Sequence, residues 1–466
     1  MYNVGMKVAT PVDELRSIVG SEHVRTDPET IRENSTDATR RFHPADVVVF
    51  PGATGEVSQI VALANRSRTP VVTRGGGVGY AGGAVPIAGG IVMAMRRMNR
   101  IIEIDPIDLV AVVEPGVITA DLQEAVESKG LFYPPDPASL KQSSVGGNVA
   151  HNAGGPRAFK YGVTRQFLLG LEVVLPTGRV IETGGRVVKN AVGYDLTDLM
   201  CGSEGTLGVI TKIIFRLLPL PEASQTLMAL YGSVRDCAES AIRLVEHRII
   251  PSKLEILDER SLRALREYIA AEGLEVAVEL PATARAMLLV EVDGDLESMD
   301  RSVARVREVL EPDAVRIVQS DRGEELWEIR RHLSPAVARI RPAKINEDIV
   351  VPRSRVPDYL EAIERLESDC GLPIVCFGHV GDGNIHVNLM LDTSDRDQVV
   401  RAEAAKFRIF ELAVEMGGTI SGEHGIGIMK ADFLPMALGA GAIDAMKAVK
   451  RALDPNDIMN PGKIFV

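Results

Sequence analysis

The chain predicts an α+β fold of two domains with a short C-terminal segment, and three features carry that expectation. Its 466 residues are more than one ordinary hydrophobic core serves. Strand-like and helix-like runs are mixed, with several short β-rich runs in succession, as in a domain built on antiparallel pairs. A proline-punctuated stretch, LLPLPEAS from Leu217 to Ser224, divides two such textures. The expected divisions are residues 1–220, 221–419 and 420–466.

From Asp46 the order is strand, helix, strand: DVVVFP, EVSQIVALANRSR, then PVVTRGGG. Val57, Ile60, Val61 and Leu63 recur near a 3.6-residue period, so the helix has one face to bury. Short β-rich runs follow, namely GGIVMAM, RIIEID, LVAVVEPGV, GLEVVLPTGRVIETG and GVITKIIFRLLPLP. The helical stretch ITADLQEAVESKG interrupts them, with Gly130 expected as its C-cap. Beyond Ser224, DCAESAIRLVEHRI, LESMDRSVARVREVLE and RVPDYLEAIERLESDCG read as amphipathic helices and AMLLVEVDG as a strand. PIVCFGHV and NIHVNLML are strands on either side of a tight GDGN turn. The last part, QVVRAEAAKFRIFELAVEMGG and AIDAMKAVKRALDPNDIMNPGK, is helical until proline and asparagine punctuate it.

Composition excludes several function classes. Hydrophobic residues at 45% and charged residues at 25% describe a folded, water-soluble chain. A net charge of −12 argues against a nucleic-acid surface or a polybasic membrane patch, and 4% aromatics argues against base stacking. No run approaches the roughly 18 apolar residues of a membrane span, and the N-terminus lacks the pattern of a signal peptide. Cys201, Cys237, Cys370 and Cys376 form no CxxC pair, so reduced thiols are expected rather than a zinc ribbon or an iron–sulfur cluster. These points favour a cytoplasmic protein, with any membrane association peripheral to the inner face.

Three glycine clusters lie in the first half. RGGGVGYAGG, Arg74 to Gly83, contains G-x-G-x-x-G at Gly77, Gly79 and Gly82. A dinucleotide fold of the Rossmann type would start a helix there, but AVPIAGG follows and forbids one. Successive glycines still leave backbone N–H groups free to face a diphosphate, so phosphate binding is kept. PPDPASLKQSSVGGNVAHNAGG is a long irregular stretch of the kind a packed domain keeps for a ligand. CGSEGTLGVIT misses the G-x-S-x-G nucleophile elbow because Cys201 replaces its first glycine. In the second half, GHVGDGNIHVN and SGEHGIG gather three histidines, a glutamate and an asparagine between glycines, the residue types of a metal-assisted site. Glu423 and His424 are neighbours and would face opposite ways in a flat strand, so an irregular segment is expected around them.

Taken in order, RGGGVGYAGG, YPPDPASLKQSSVGGNVAHNAGGPRAFKYGVT, VKNAVGYDLTDLMCGSEGTLGVITK, GHVGDGNIHVN, SGEHGIG and LDPNDIMNPGK closely resemble the FAD-linked oxidase family of D-2-hydroxyacid dehydrogenases. That family includes glycolate oxidase catalytic subunits, D-lactate dehydrogenases and D-2-hydroxyglutarate dehydrogenases. The resemblance implies an FAD-binding domain of the vanillyl-alcohol-oxidase (PCMH) type, an α+β substrate domain and a C-terminal segment returning to the flavin domain. By the same resemblance, Gly75, Gly76, Gly77, Gly79, Pro135, Asp136, Ser144, Gly147, Asn148, Gly154, Gly155, Tyr161, Gly162, Glu204, Gly208, Ile210 and Asn460 would contact FAD. Val78 stands where covalently flavinylated members often carry histidine, so noncovalent FAD is expected. His379, His386 and Glu423 resemble the metal ligands and His424 the base. Zinc is the first expectation, while manganese and ferrous iron accept the same ligands. Arg330, Lys344 and Asn388 resemble substrate contacts. Ser334 is a short hydroxyl where the hydroxyglutarate enzymes have threonine, which leaves substrate chain length open.

The expected activity is hydride transfer from a small D-2-hydroxy acid, D-lactate or glycolate, to flavin N5. Electrons would pass to a quinone, an electron-transfer flavoprotein or an iron–sulfur subunit. D-2-hydroxyglutarate is the alternative substrate, and a noncatalytic FAD-binding subunit is the alternative of another class. A homodimer is compatible with all three.

Overall fold

The structure, a computed structural model, describes residues 10–276, 278–320 and 323–465. They form two compact units. The first holds the chain up to Gly154, Val163–Leu220 and everything from Glu423; the second holds Gly155–Gly162 and Pro221–Gly422. One boundary therefore falls inside the proline-punctuated stretch. The excursion of residues 155–162 into the second unit has no signal in the sequence.

The first unit contains two main sheets. One has four strands in the order Val24–Arg25, Val47–Val49, Ile91–Ala94, Val71–Arg74. The outer two of the last three both run parallel to Ile91–Ala94, so the strands of the βαβ start are separated by a third. Their connecting helix, Thr54–Ser67, buries Val57, Ile60, Val61 and Leu63 as its period predicts, against Leu15, Val47, Ile91 and Met93. The other sheet is antiparallel, in the order Ile101–Asp105, Val110–Val113, Val209–Arg216, Leu168–Val174, Val180–Gly184. Its central strand alternates cleanly, burying Val209, Thr211, Ile213 and Phe215. The interrupting helix is Thr119–Glu127, and its C-cap is Ser128 rather than Gly130. Gly130 instead turns the chain two residues later at φ +71°.

The C-terminal segment extends the edge strand Val71–Arg74. Val71 N–H donates to the Ile458 carbonyl at 2.7 Å, and Asn460 N–H donates to the Val71 carbonyl at 2.8 Å. One buried carboxylate sets this course. Asp454 accepts from Ile458 N–H at 3.1 Å, from Met459 N–H at 2.8 Å and from Lys450 Nζ at 2.5 Å.

The second unit is built on a seven-stranded antiparallel sheet. Its order is Ala314–Ser320, Ala223–Tyr231, Ala286–Gly294, Lys253–Leu257, Ile374–His379, Asn384–Leu391, Ala343–Val350. Leu257 and Leu289 join Leu262 and Leu265 of the helix Glu259–Glu272 and Leu326 and Trp327 of Gly323–Arg331 in one core. The strands that carry the two histidines are thus held in the interior of the sheet, where register is fixed on both sides.

Replacing Asp454 by alanine removes three acceptor contacts and leaves the Lys450 ammonium half-buried, which should cost about 3 kcal/mol. Amide exchange would show it as lost protection at Ile458 and Met459, while unchanged protection would mean the tail is held by other contacts.

Candidate active site

After Arg74 the chain runs without a helix until the strand Ile91–Ala94, so the glycine loop has the non-Rossmann form its sequence requires. It packs backbone against backbone: a Cβ on Gly76 would stand 2.2 Å from the Gln142 carbonyl oxygen. That contact brings the second glycine cluster alongside the first. There Ser144 N-caps the short helix Val145–His151, accepting from Gly147 N–H at 3.3 Å. Together they wall a cavity of about 1370 Å³, its mouth included. Gly75, Gly76, Gly77, Gly79, Ser144, Gly147, Asn148, Glu204, Gly208 and Ile210 line it, as do Glu423 and His424.

Glu204 ties the third cluster to the C-terminal segment. Its carboxylate accepts from Ile426 N–H at 2.7 Å through Oε1 and from Gly427 N–H at 2.8 Å through Oε2. Asn460 Nδ2 donates to the Glu204 carbonyl at 2.7 Å and to the Gly83 carbonyl at 3.0 Å. Asn460 thus braces the cavity from behind. The Glu423–Gly427 segment forms no strand, as the neighbouring Glu and His require. His424 stacks obliquely on Tyr80, with ring centroids 5.1 Å apart.

The other residues expected at the flavin have the following places. Pro135 is buried, and its carbonyl accepts from Gln123 Nε2 at 2.9 Å; Asp136 is buried beside it in the chain. Gly154 abuts Glu423, whose Oε2 would be 3.1 Å from an added Cβ. Gly155, Tyr161 and Gly162 belong to the second unit, where the Tyr161 hydroxyl donates to Asp293 Oδ2 at 2.7 Å. Asp37, Thr73, Tyr80 and His151 line the cavity without having been anticipated. Tyr80 and His151, each inside a glycine cluster, had a signal that could have found them.

In the second unit, His379 and His386 stand almost at right angles, interplanar 88°, with ring centroids 5.4 Å apart. A buried carboxylate lies behind each ring. His379 Nδ1 is hydrogen-bonded to Glu255 Oε1, and Asp348 Oδ1 lies 3.8 Å from His386 Nδ1. Strand pairing produces both juxtapositions, because Glu255 is opposite His379 and Asp348 opposite His386. Burial alone would raise the Glu255 pKa, but the adjacent His379 and Arg330, both bonded to the carboxylate, overcome it and hold the carboxyl at about 2. Asp348 also accepts from Asn384 Nδ2 at 2.6 Å and from Gly422 N–H at 3.0 Å.

Arg330 donates from Nε to Glu255 Oε2 at 2.9 Å and stacks over Phe377 at 4.6 Å. One edge of its guanidinium is therefore committed to the protein. Lys344 and Asn388 lie on neighbouring strands, with Asn388 fully buried and its Oδ1 lacking a donor among the described residues. Ser334 is exposed on the short helix Leu333–Val337. Glu255 and Asp348 had no motif around them, since only the sheet register brings them to the histidines.

A glycine-walled cavity without a Rossmann helix in one unit, and histidines beside buried carboxylates on the antiparallel sheet of the other, are the features of a flavin-dependent oxidoreductase. Residues 45–184 match the family described as FAD binding domain, and residues 220–464 match FAD linked oxidases, C-terminal domain. The chain belongs to the FAD-linked oxidase family. It is 45% identical to glycolate oxidase subunit GlcD of Bacillus subtilis (strain 168), over 92% of this chain and 91% of that protein. It is 35% identical to D-lactate dehydrogenase of Anaerostipes hadrus, over 90% and 89%. The fold resembles that of p-cresol methylhydroxylase at a TM-score of 0.80 and 19% identity, covering 98% of this chain and 96% of the other. The FAD-binding fold is thus of the expected PCMH type.

FAD suits the cavity, because small residues and backbone amides surround the place where a diphosphate needs donors. Near it Lys463 donates to the Val85 carbonyl at 2.7 Å. Burial lowers the Lys463 pKa from 10.5 to about 8, against the opposing pull of Glu204 and Asp37. Between those two values the unfolded chain binds the extra proton, so stability should rise with pH across that window by about 3 kcal/mol. Unfolding free energies of FAD-free wild type and Lys463→Met should diverge from pH 8 to 10, and parallel curves would contradict this.

Proposed function

We propose that this protein oxidises a small D-2-hydroxy acid, D-lactate or glycolate, to the 2-oxo acid. The observation that carries the reading is the pair of buried histidines, each backed by a carboxylate, in a chain whose relatives are named for glycolate and D-lactate. At His379 the Glu255 carboxylate bonded to Nδ1 keeps the proton there and leaves Nε2 with its lone pair, the arrangement that supports metal-binding imidazoles. The donor set therefore fits a divalent ion. His379 and His386 would hold it with Glu423, which follows Gly422 in the chain. Zinc comes first for two imidazoles and a carboxylate, with manganese and ferrous iron next.

When bound, FAD would supply the hydride acceptor and a divalent ion would supply a Lewis acid at the substrate hydroxyl. The chain supplies the remaining functions. His424 accepts the hydroxyl proton. The Nη groups of Arg330, together with Lys344, grip the substrate carboxylate, and Asn388 is a further polar contact to the substrate. Ser334 borders the distal end of a longer acid. Glu255 acts at one remove, orienting His379 and Arg330 together. The naming of the Bacillus relative as a subunit supports an electron-accepting partner, a quinone, electron-transfer flavoprotein or iron–sulfur protein. Among the described residues no helix is long and apolar enough to cross a membrane, which suits a cytoplasmic enzyme that meets its acceptor at the inner membrane face.

With a dye acceptor, D-lactate or glycolate should be turned over in preference to D-2-hydroxyglutarate, and the reverse preference would overturn the substrate assignment. His424→Ala should lower kcat by about 10²- to 10⁴-fold, as loss of a general base does. Chelation should abolish turnover while FAD stays bound, and zinc, manganese or ferrous iron should restore it. Full activity after metal removal would refute the proposed site.

A further inference from the structure

The turn that joins the two histidine strands depends on support from outside itself. Its own main-chain bonds are long: Asp382 N–H donates to the His379 carbonyl at 3.2 Å, and Gly383 N–H to the Val380 carbonyl at 3.3 Å. Two neighbours hold it. Val351 N–H donates to the Gly383 carbonyl at 3.1 Å, and a Cβ on Gly383 would stand 2.0 Å from the Val351 carbonyl oxygen. The other neighbour is Phe159, which is half-buried. A Cβ on the buried Gly381 would lie 2.6 Å from Phe159 Cγ and Cδ1 and 3.0 Å from its Cβ, so the ring rests on the main chain of the turn. Gly381 has no left-handed φ, so it is the ring that excludes a side chain there. Arg353 stands over the same ring at 4.9 Å.

The segment that presents Phe159 is itself anchored. Its one-turn helix, Ala158–Tyr161, belongs to the second unit and lies between Gly155 at φ +131° and Gly162 at φ +92°. Lys160 Nζ donates to the Asp293 carbonyl at 3.0 Å and pairs with the Asp293 carboxylate, to which the Tyr161 hydroxyl also donates. Asp293 ends the strand Ala286–Gly294 but for one residue, in the sheet that carries both histidines. Ring and turn are thus fixed to one framework.

We propose that Phe159 is a positioning residue for the paired histidines: by covering Gly381 it holds the turn, and with it the spacing of His379 and His386. The inference rests on the reading that these imidazoles bind a metal. The turn begins at His379, and His386 is the third residue of the strand on which it ends. Slack in the turn therefore reaches both rings within two residues of backbone. Groups that hold metal ligands from behind set affinity without touching the ion, and their loss commonly weakens binding about 10- to 100-fold.

The test uses Phe159→Ala, Phe159→Tyr and Gly381→Ala, with the double variant Phe159→Ala/Gly381→Ala, in full-length FAD-loaded protein. Zinc affinity is read by competition with a chromophoric chelator, and amide exchange at the turn is read in metal-free protein. Phe159→Ala should weaken zinc binding about 10- to 100-fold and quicken exchange at Val380–Gly383, while Phe159→Tyr, which keeps the ring face, should restore most of both. Gly381→Ala should weaken binding when the ring is present and much less when Phe159 is alanine, because the added methyl then has room. Unchanged zinc affinity in Phe159→Ala overturns the proposal, as does weaker affinity with unchanged exchange at the turn. Penalties of Phe159→Ala and Gly381→Ala that add in full overturn it too. A wild type that takes up no zinc overturns the metal reading and this inference with it, whereas a zinc-binding wild type with an unaffected alanine variant overturns this inference alone. Should Phe159→Ala not fold, Phe159→Leu takes its place with the same readings.

Discussion

The Glu204 carboxylate is the constraint on which the catalytic half of the first unit depends. It is buried, with the backbone at φ +53°, and both oxygens accept main-chain N–H groups from Ile426 and Gly427. Those two bonds draw the Glu423–Gly427 segment, more than two hundred residues later in the chain, onto the wall of the cavity. Asn460 then closes the arrangement from behind by bonding the Glu204 and Gly83 carbonyls. Glu204 thus couples the third glycine cluster to the Glu423–Gly427 segment through its side chain, and to Asn460 through its backbone carbonyl. A buried carboxylate is tolerated there because N–H donors meet each oxygen, which is the condition for keeping it charged inside a protein.

The second unit solves the same problem differently. Glu255 is fully buried and charged because His379 and Arg330 share it, and Asp348 is fully buried because Asn384 and Gly422 do. Glu255 fixes His379 in place, so that imidazole is oriented before any ligand arrives, and Asp348 stands near His386. Arranging donors in advance spares the reorganisation that weakens binding and slows chemistry. The sheet register enforces it: a slip of one residue would turn His379 and His386 to the opposite face.

Much of this was legible in the chain, for identifiable reasons. Glycine runs report backbone conformation directly, so the loop at Gly75–Gly79 and the irregular course of Glu423–Gly427 followed from residue type alone. The helix Thr54–Ser67 and the strands around the GDGN turn followed from period. What was not legible depends on distant pairing. Glu255 sits in an ordinary β run, and only its registration against His379 makes it part of the site. Asp37 has no motif, and it reaches the cavity only because the Gly79 loop folds beside its segment. Tyr161 sits in a glycine-rich stretch that reads as flavin contact, yet its hydroxyl is taken by Asp293, which the local sequence does not announce.

The account requires that a small 2-hydroxy acid deliver its hydrogen to the flavin on this protein. Anaerobic mixing of the FAD- and metal-loaded enzyme with D-lactate or glycolate tests that in one step. The visible flavin absorbance should bleach, and it should bleach several-fold more slowly when the Cα hydrogen is deuterium. A loaded enzyme that keeps its yellow colour with both acids would contradict the account.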